Sequence, residues 1–342
     1  MSKGMNHWIL RVLIILLSLS VTLTIRASGQ NVEAKLVVFG DSLVDVGNIP
    51  PITFLTPAGT PGLVIPPPTR YDRGRFSNGR NVADYVAESM GVHLLTSNTG
   101  YQSGDNVSFA HGGATTDQVN PTPGGFPVPG LLGQVGQYLA ALAPDESLDD
   151  RTLYMIWAGS NDYLLGILQP NSGISPDPLQ VTENIRQAIT QLRARGAKRF
   201  VVLNLPDLGK TPVCLGFFIC EPLTQLTQQH NSLLHQVLSG LEQTFDTGSI
   251  IEVDVYSIFE RIAANPAGFG FIPPVQAPGP AAGCLFQPPD IFDPANCALL
   301  NTFQTEQVFW DEEHPTTAVH QIIAQQILRL LRRRAQSNRL KI

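Results

Sequence analysis

Five short apolar runs rich in β-branched residues recur along the chain: KLVVFG (35–40), VSFA (107–110), TLYMIWAG (152–159), KRFVVLNL (198–205) and SIIEVDV (249–255). Each has the length and composition of a buried strand. Between them, NVADYVAESM (81–90), LLGQVGQYLAALA (131–143) and the stretches 178–195, 222–245 and 317–333 place apolar residues at three-to-four spacing, which predicts helices. Strands alternating with helices imply parallel pairing and a doubly wound α/β sheet. No internal repeat or hinge-like linker interrupts the pattern, so one domain is expected.

The connections differ at the two ends of the strands. ARGAK and DTGS, which lead from helix into strand, are tight. Connections leaving strands are long and rich in Pro and Gly: 49–70, 120–130, 165–178, 206–222 and most of 256–309. Ligands of open α/β sheets bind beyond the carboxyl ends of the strands, and the irregular sequence is concentrated there. The stretch 91–106, which precedes a strand, breaks this rule and has no assigned role.

Composition narrows the function classes. The chain has 342 residues and a formal net charge of −6, with no long basic run, which gives no basis for nucleic-acid binding. At the N-terminus, Lys3, His7 and Arg11 precede the apolar run VLIILLSLSVTLTI, which Arg26 closes before the small residues ASG (27–29). The run is short for a membrane span and has the layout of a secretory signal. The expectation is a signal peptide over 1–29, a single domain over 30–342, and no stable membrane span in the mature protein. Export permits disulfides among Cys214, Cys220, Cys284 and Cys297. Short loop closure favours Cys214–Cys220 and Cys284–Cys297, and the spacings do not resemble a zinc module. Asn106 in NVS is a glycosylation acceptor if the host glycosylates.

Four strand ends carry candidate chemistry. Gly40-Asp41-Ser42 follows the first strand, where Gly40 permits a tight turn and Ser42 is either a nucleophile or a helix cap. A helix starting there would offer free N–H groups to an anion. Gly112 and Gly113 follow VSFA, and SNDY with Asn161 follows TLYMIWAG. Near the C-terminus, FWDEEHPTT places Asp311 three residues before His314, with Pro315 suited to start a helix. Each piece has a plain alternative, as a turn, a helix cap or favourable charge at a helix N-terminus. Gly-x-Ser-x-Gly is absent, which removes the α/β-hydrolase nucleophile elbow.

The four blocks VVFGDSLVDVGN, SFAHGGATTDQ, WAGSNDY and DEEHPT, in this order, resemble those of the SGNH or GDSL hydrolases, and the resemblance covers residues 35 to 330. RFSNGRNVADYVAE (75–88) and LPDLGKTP (205–212) resemble connecting segments of plant-type and secreted bacterial members. The resemblance implies a three-layer α/β/α, flavodoxin-like fold with a central five-stranded parallel sheet. It makes Ser42 the nucleophile, His314 the general base and Asp311 its orienting partner. The oxyanion hole is then the Ser42 and Gly113 N–H groups with the Asn161 amide, and no metal or organic cofactor is required. Gly113 rather than Gly112 holds the family's position two residues before Thr115. Ser108 stands where many members have Asn, weakening a supporting hydrogen bond.

The implied activity is that of a secreted GDSL esterase/lipase acting on a small-molecule, lipid or acylated-carbohydrate ester. Acyltransfer, carbohydrate O-deacetylation and a non-catalytic binding protein are the rival readings. Phe54, Leu55, Leu63, Val64, Phe126, Phe217 and Phe218 fall in the long connections and are candidates for an apolar acyl pocket, or for simple loop packing. Asp41 and Asp162 are expected to form structural hydrogen bonds, Asp45 and Asn48 to stabilise the opening turn, and His111 to be a surface or supporting residue. His230, His235 and His320 lie on expected helices without a partner pattern.

Overall fold

The computed structural model describes residues 34–49, 52–55, 61–65, 71–121, 127–245, 248–275 and 306–339. The segment 1–29, Phe126 and the pair Cys284–Cys297 lie outside them. In chain order the strands are β1 (Leu36–Gly40), β2 (Ile52–Leu55), β3 (Pro61–Ile65), β4 (Leu95–Thr96), β5 (Val107–Ser108), β6 (Val119–Pro121), β7 (Pro127–Pro129), β8 (Leu153–Trp157), β9 (Arg199–Leu203) and β10 (Ile250–Val253). The helices are α1 (Val82–Met90), α2 (Leu131–Ala140), α3 (Ser160–Leu168), α4 (Pro178–Ala194), α5 (Pro212–Phe217), α6 (Cys220–Thr244), α7 (Val255–Ala264) and α8 (Thr317–Arg339).

The main sheet runs β10-β9-β8-β1-β5-β4 and is parallel throughout. Five strands are the five apolar runs. The sixth, β4, comes from the stretch 91–106 and pairs only Leu95 with Val107 and Thr96 with Ser108. Two residues are too few to leave a periodic signal. Small hairpins, β2–β3 and β6–β7, decorate the long connections.

Alternation along the strands builds two cores. Leu36, Val38, Met155, Trp157, Val201 and Leu203 face one side, against Val82 and Val86 of α1, Ile258 and Ile262 of α7, and Val319, Ile323 and Ile327 of α8. Val37, Phe39, Tyr154, Ile156, Phe200 and Val202 face the other, against α2, α4 and Leu234, Leu238 and Leu241 of α6. Both faces of every central strand are covered, so the runs are apolar throughout instead of alternating with polar residues. Burying each such side chain contributes about 1.5–3 kcal/mol.

Several elements depart from the sequence-based expectation. Ser160 opens α3, which takes in Leu165–Leu168, and α7 occupies the start of the 256–309 connection. No helix begins at Ser42; the chain turns there, with Val44 N–H donating to Asp41 O. Pro315 does not start the final helix either. It forms a β-bridge with Phe309, and α8 begins at Thr317, whose N–H donates to Asn78 Oδ1 at 2.8 Å. Cys214 and Cys220 form a disulfide joining α5 to α6. Among the described residues, no helix is long and apolar enough to cross a membrane.

Candidate active site

β1 lies between β8 and β5, so the ends of three adjacent strands converge where the strand order changes direction. At the end of β1, Gly40 has φ +149°, and a Cβ there would sit 2.0 Å from Trp157 O. Only glycine fits. Gln134 of α2 clamps the same peptide: Gly40 N–H donates to its Oε1 at 2.9 Å, and its Nε2 donates to Gly40 O at 2.8 Å. Asp41 then folds back to accept from Leu43 N–H at 3.0 Å, which turns the chain at Ser42.

His314 reaches this turn from a loop held by the Phe309–Pro315 bridge and by Trp310 N–H donating to His314 O at 2.7 Å. Its Nε2 is 2.7 Å from Ser42 Oγ, and its Nδ1 is 2.7 Å from Asp311 Oδ2. Asp311 is fully occupied. Oδ1 accepts from the N–H groups of Glu313 at 2.8 Å and His314 at 2.6 Å, and Oδ2 also accepts from Tyr71 Oη at 2.8 Å. With both oxygens engaged the carboxylate cannot rotate, so the imidazole plane is fixed. The Phe76 ring packs against the imidazole, with centroids 5.2 Å apart.

Charge is concentrated here. Burial opposes protonation of His314, but the carboxylates of Asp311 and Glu313 outweigh it and push the imidazole up to about 9. Burial also raises Asp41 to about 7 and Glu313 to about 7, against the attraction of His314 in both cases. The Asp41 Oδ2 atom is buried and has no hydrogen-bond partner among the described residues.

Of the two glycines after β5, Gly112 commits its N–H to Asp45 Oδ2 at 2.9 Å. Gly113 adopts φ +78°, a left-handed conformation that favours glycine. Asn161, in the first turn of α3, donates one Nδ2 hydrogen to Ala114 O at 3.0 Å, and the amide carries a second. Asn161 and Ser42 line the same cavity. Ser108, the departure from the family pattern, is used locally: Ala110 N–H donates to its Oγ at 3.3 Å.

The flanking residues form a supporting frame. Asp45 accepts from Gly47 and Asn48 N–H as well as Gly112, and Asn48 Nδ2 donates to the carbonyls of Ser108 and Ala110. Asp162 accepts from Thr116 N–H and Oγ1. Two discounted histidines do have partners. Tyr163 Oη lies 2.9 Å from His230 Nδ1, and His235 Nδ1 lies 2.7 Å from Glu252. Burial lowers both His230 and His320 to about 3, which keeps them neutral. His111 Nδ1 bonds Phe109 O at 2.7 Å.

Sequence reasoning missed Tyr71, Gln134 and Glu313. In the sequence Glu313 reads as charge before a helix; the carboxyl instead sits 3.6 Å from His314 Nε2. The acyl-pocket candidates also change. The cavity beside Ser42 is lined by Leu164, Pro206, Leu208, Phe259 and Phe309, none of them proposed from the sequence. Phe217 and Phe218 are exposed, Phe218 at 94%, so they do not line it.

This arrangement is found on a chain with many relatives. A family model described as GDSL-like lipase/acylhydrolase matches residues 36–327. An Arabidopsis thaliana GDSL esterase/lipase is 29% identical, covering 88% of each chain, and a second from the same plant is 28% identical over 86% of this chain and 85% of its own. A solved structure of Axe2, an acetylxylan esterase from Geobacillus stearothermophilus, aligns at 13% identity over 86% of this chain and 93% of that one, with a TM-score of 0.45. With the family model spanning nearly all of the folded unit, the chain belongs to the GDSL-like lipases and acylhydrolases and is a carboxylic-ester hydrolase.

Proposed function

We propose that the protein is a secreted serine esterase working through Ser42, His314 and Asp311. The observation that carries this reading is the pair of 2.7 Å contacts linking Ser42 Oγ to His314 Nε2 and His314 Nδ1 to Asp311. His314 takes the Ser42 proton as Oγ bonds to the ester carbonyl carbon. The carbonyl oxygen becomes an oxyanion that accepts hydrogen bonds from the Ser42 and Gly113 N–H groups and Asn161 Nδ2. His314 then passes its proton to the departing alcohol, leaving an acyl-enzyme. Water, deprotonated by the same nitrogen, releases the acid and regenerates Ser42. Asp311 stays ionised and orients the ring throughout.

Secretion is supported by the N-terminal apolar run and by the Cys214–Cys220 disulfide, which persists in an oxidising compartment. The substrate class is a small-molecule, lipid or acylated-carbohydrate ester. The test is hydrolysis of aryl esters of graded chain length by the purified protein beside Ser42→Ala. Activity should vanish in the variant, and a fluorophosphonate should label the parent once, at Ser42. Full activity in Ser42→Ala, or labelling elsewhere, would refute the assignment.

A further inference from the structure

The cavity beside Ser42 is about 20 Å³, room for one water-sized group. Its walls are mostly apolar, and beside Ser42, His314, Asn161 and Thr211 two further polar residues line it: Ser160 and Glu313. Ser160 is 7% exposed, and its Oγ is buried without a hydrogen-bond partner among the described residues. A buried hydroxyl left unpaired costs free energy that an incoming polar group recovers. The Glu313 carboxyl has His314 Nε2 as its neighbour at 3.6 Å, beyond hydrogen-bond length. Its own N–H is spent on Asp311, so backbone geometry fixes where the side chain starts.

The position of Glu313 relates it to one half of the ester. His314 Nε2 must come within hydrogen-bond reach of the leaving alcohol oxygen to protonate it. Glu313 lies beside that same nitrogen. A hydroxyl vicinal to the ester oxygen, on the second carbon of the alcohol, is held nearer that nitrogen, and so nearer the Glu313 carboxyl, than one on the third carbon. A carboxyl held near 7 by burial can accept from such a hydroxyl when ionised and donate to it when protonated.

Resting on the Ser42–His314 mechanism above, we propose that Glu313, with Ser160 lining the same cavity, selects esters whose alcohol carries a hydroxyl vicinal to the ester oxygen, such as a glycerol or sugar ester. Glu313 is a specificity-determining residue and takes no proton from Ser42. Recognition of this kind discriminates strongly, because the analogue lacking the hydroxyl leaves a polar group unpaired.

Three butyrates differing only in the alcohol test this: n-propyl butyrate, 1,2-propanediol 1-butyrate and 1,3-propanediol monobutyrate. The parent protein should show a kcat/KM for the 1,2-diol ester at least about tenfold above the other two. Glu313→Leu should erase that preference, Glu313→Gln should keep part of it, and Ser160→Ala should reduce it. Thermal unfolding of each variant controls for folding; if Glu313→Leu does not fold, the parent's ranking of the three esters and the Gln variant still decide.

An unchanged ratio across the three esters would overturn the proposal, even if Glu313→Leu slowed all of them equally, since that is what tuning of His314 alone would produce. If instead Ser42→Ala still hydrolysed these esters, the underlying mechanism would fall, and this inference with it. Ser42-dependent hydrolysis without the vicinal-hydroxyl preference would remove only the role of Glu313. Glycerol 1-butyrate and a monobutyrylated methyl xyloside, compared at equal concentration, then tell a glyceride from a sugar ester as the source of the alcohol.

Discussion

Two buried polar regions meet at the end of β1, and they are built on opposite principles. Asp45 and Asn48 sit in a frame where backbone N–H groups of Gly47, Asn48 and Gly112 and carbonyls of Ser108 and Ala110 all find partners. Four residues earlier, Asp41 is equally buried but has one oxygen unpartnered, beside His314 and Glu313. The frame spends its polarity on holding the loops after β1 and β5. In the reactive corner the carboxylates of Asp311 and Glu313 outweigh burial and push His314 up to about 9. Rigidity and reactivity are thus supplied by neighbouring but separate groups.

Substitutions can break this division one side at a time. Ser42→Ala should cost the largest factor, on the order of 10⁶ in kcat, with an unchanged unfolding midpoint. Asn161→Ala should lower kcat by about 10²–10³ with little change in KM, as expected for a group acting mainly on the oxyanion. On the frame side, Asn48→Ala leaves the Ser108 and Ala110 carbonyls without their donor. A stability loss of about 1–3 kcal/mol by denaturant titration is expected, larger than for any reactive-corner variant that keeps its shape. Tyr71→Phe removes one of the four bonds to Asp311 and should reduce kcat/KM by about tenfold or less.

The pH dependence sharpens the same contrast. As the proposed general base His314 has to be neutral, so log kcat/KM should climb through neutral pH and level off above about 9. Stability should move the other way. Asp41, Asp162 and Glu313 are each raised to about 7, so the folded chain binds more protons than the unfolded chain between about pH 4 and 7. His314, raised to about 9, contributes stability that is complete below 6.5 and lost as pH rises through 9. All four shifts make the unfolding temperature fall as pH rises, whereas His230 and His320, lowered to about 3, act the other way below 6.5. The fall is therefore expected from pH 6.5 to pH 9, and a flat or rising curve in that window would contradict the burial of Asp41, Asp162, Glu313 and His314.

The meeting of Ser42, His314 and Asp311, with Asn161 on the same cavity, was legible because each sits in a short block whose neighbours carry part of the pattern. The strands were legible because burial on both faces leaves continuous apolar runs. Tyr71 was not, since it meets Asp311 across 240 residues of sequence and nothing around it announces the contact. Leu208, Phe259 and Phe309 fall in the long connections 206–222 and 256–309, where periodicity gives no sign of burial; most of their surface is core, and only the edge facing Ser42 makes them lining. Glu313 was hidden by its neighbours. Between an Asp and a His at a chain turn, a glutamate looks like solvated charge until the turn is seen to direct it inward. Pro315 misled because its fixed φ suits a helix start, yet the bridge to Phe309 takes priority when the loop must hold an imidazole in place.

The separation of Ser42 from His314, 272 residues along the chain, has a consequence for synthesis. A ribosome makes the proposed nucleophile long before the proposed base. The loop carrying the base is seated only when α8 packs on α1 and Ser77 Oγ donates to Pro315 O, contacts that need both ends of the chain. A growing polypeptide therefore carries an inert serine for most of its translation. On the proposed mechanism, hydrolysis begins only once His314 has been made and seated beside Ser42.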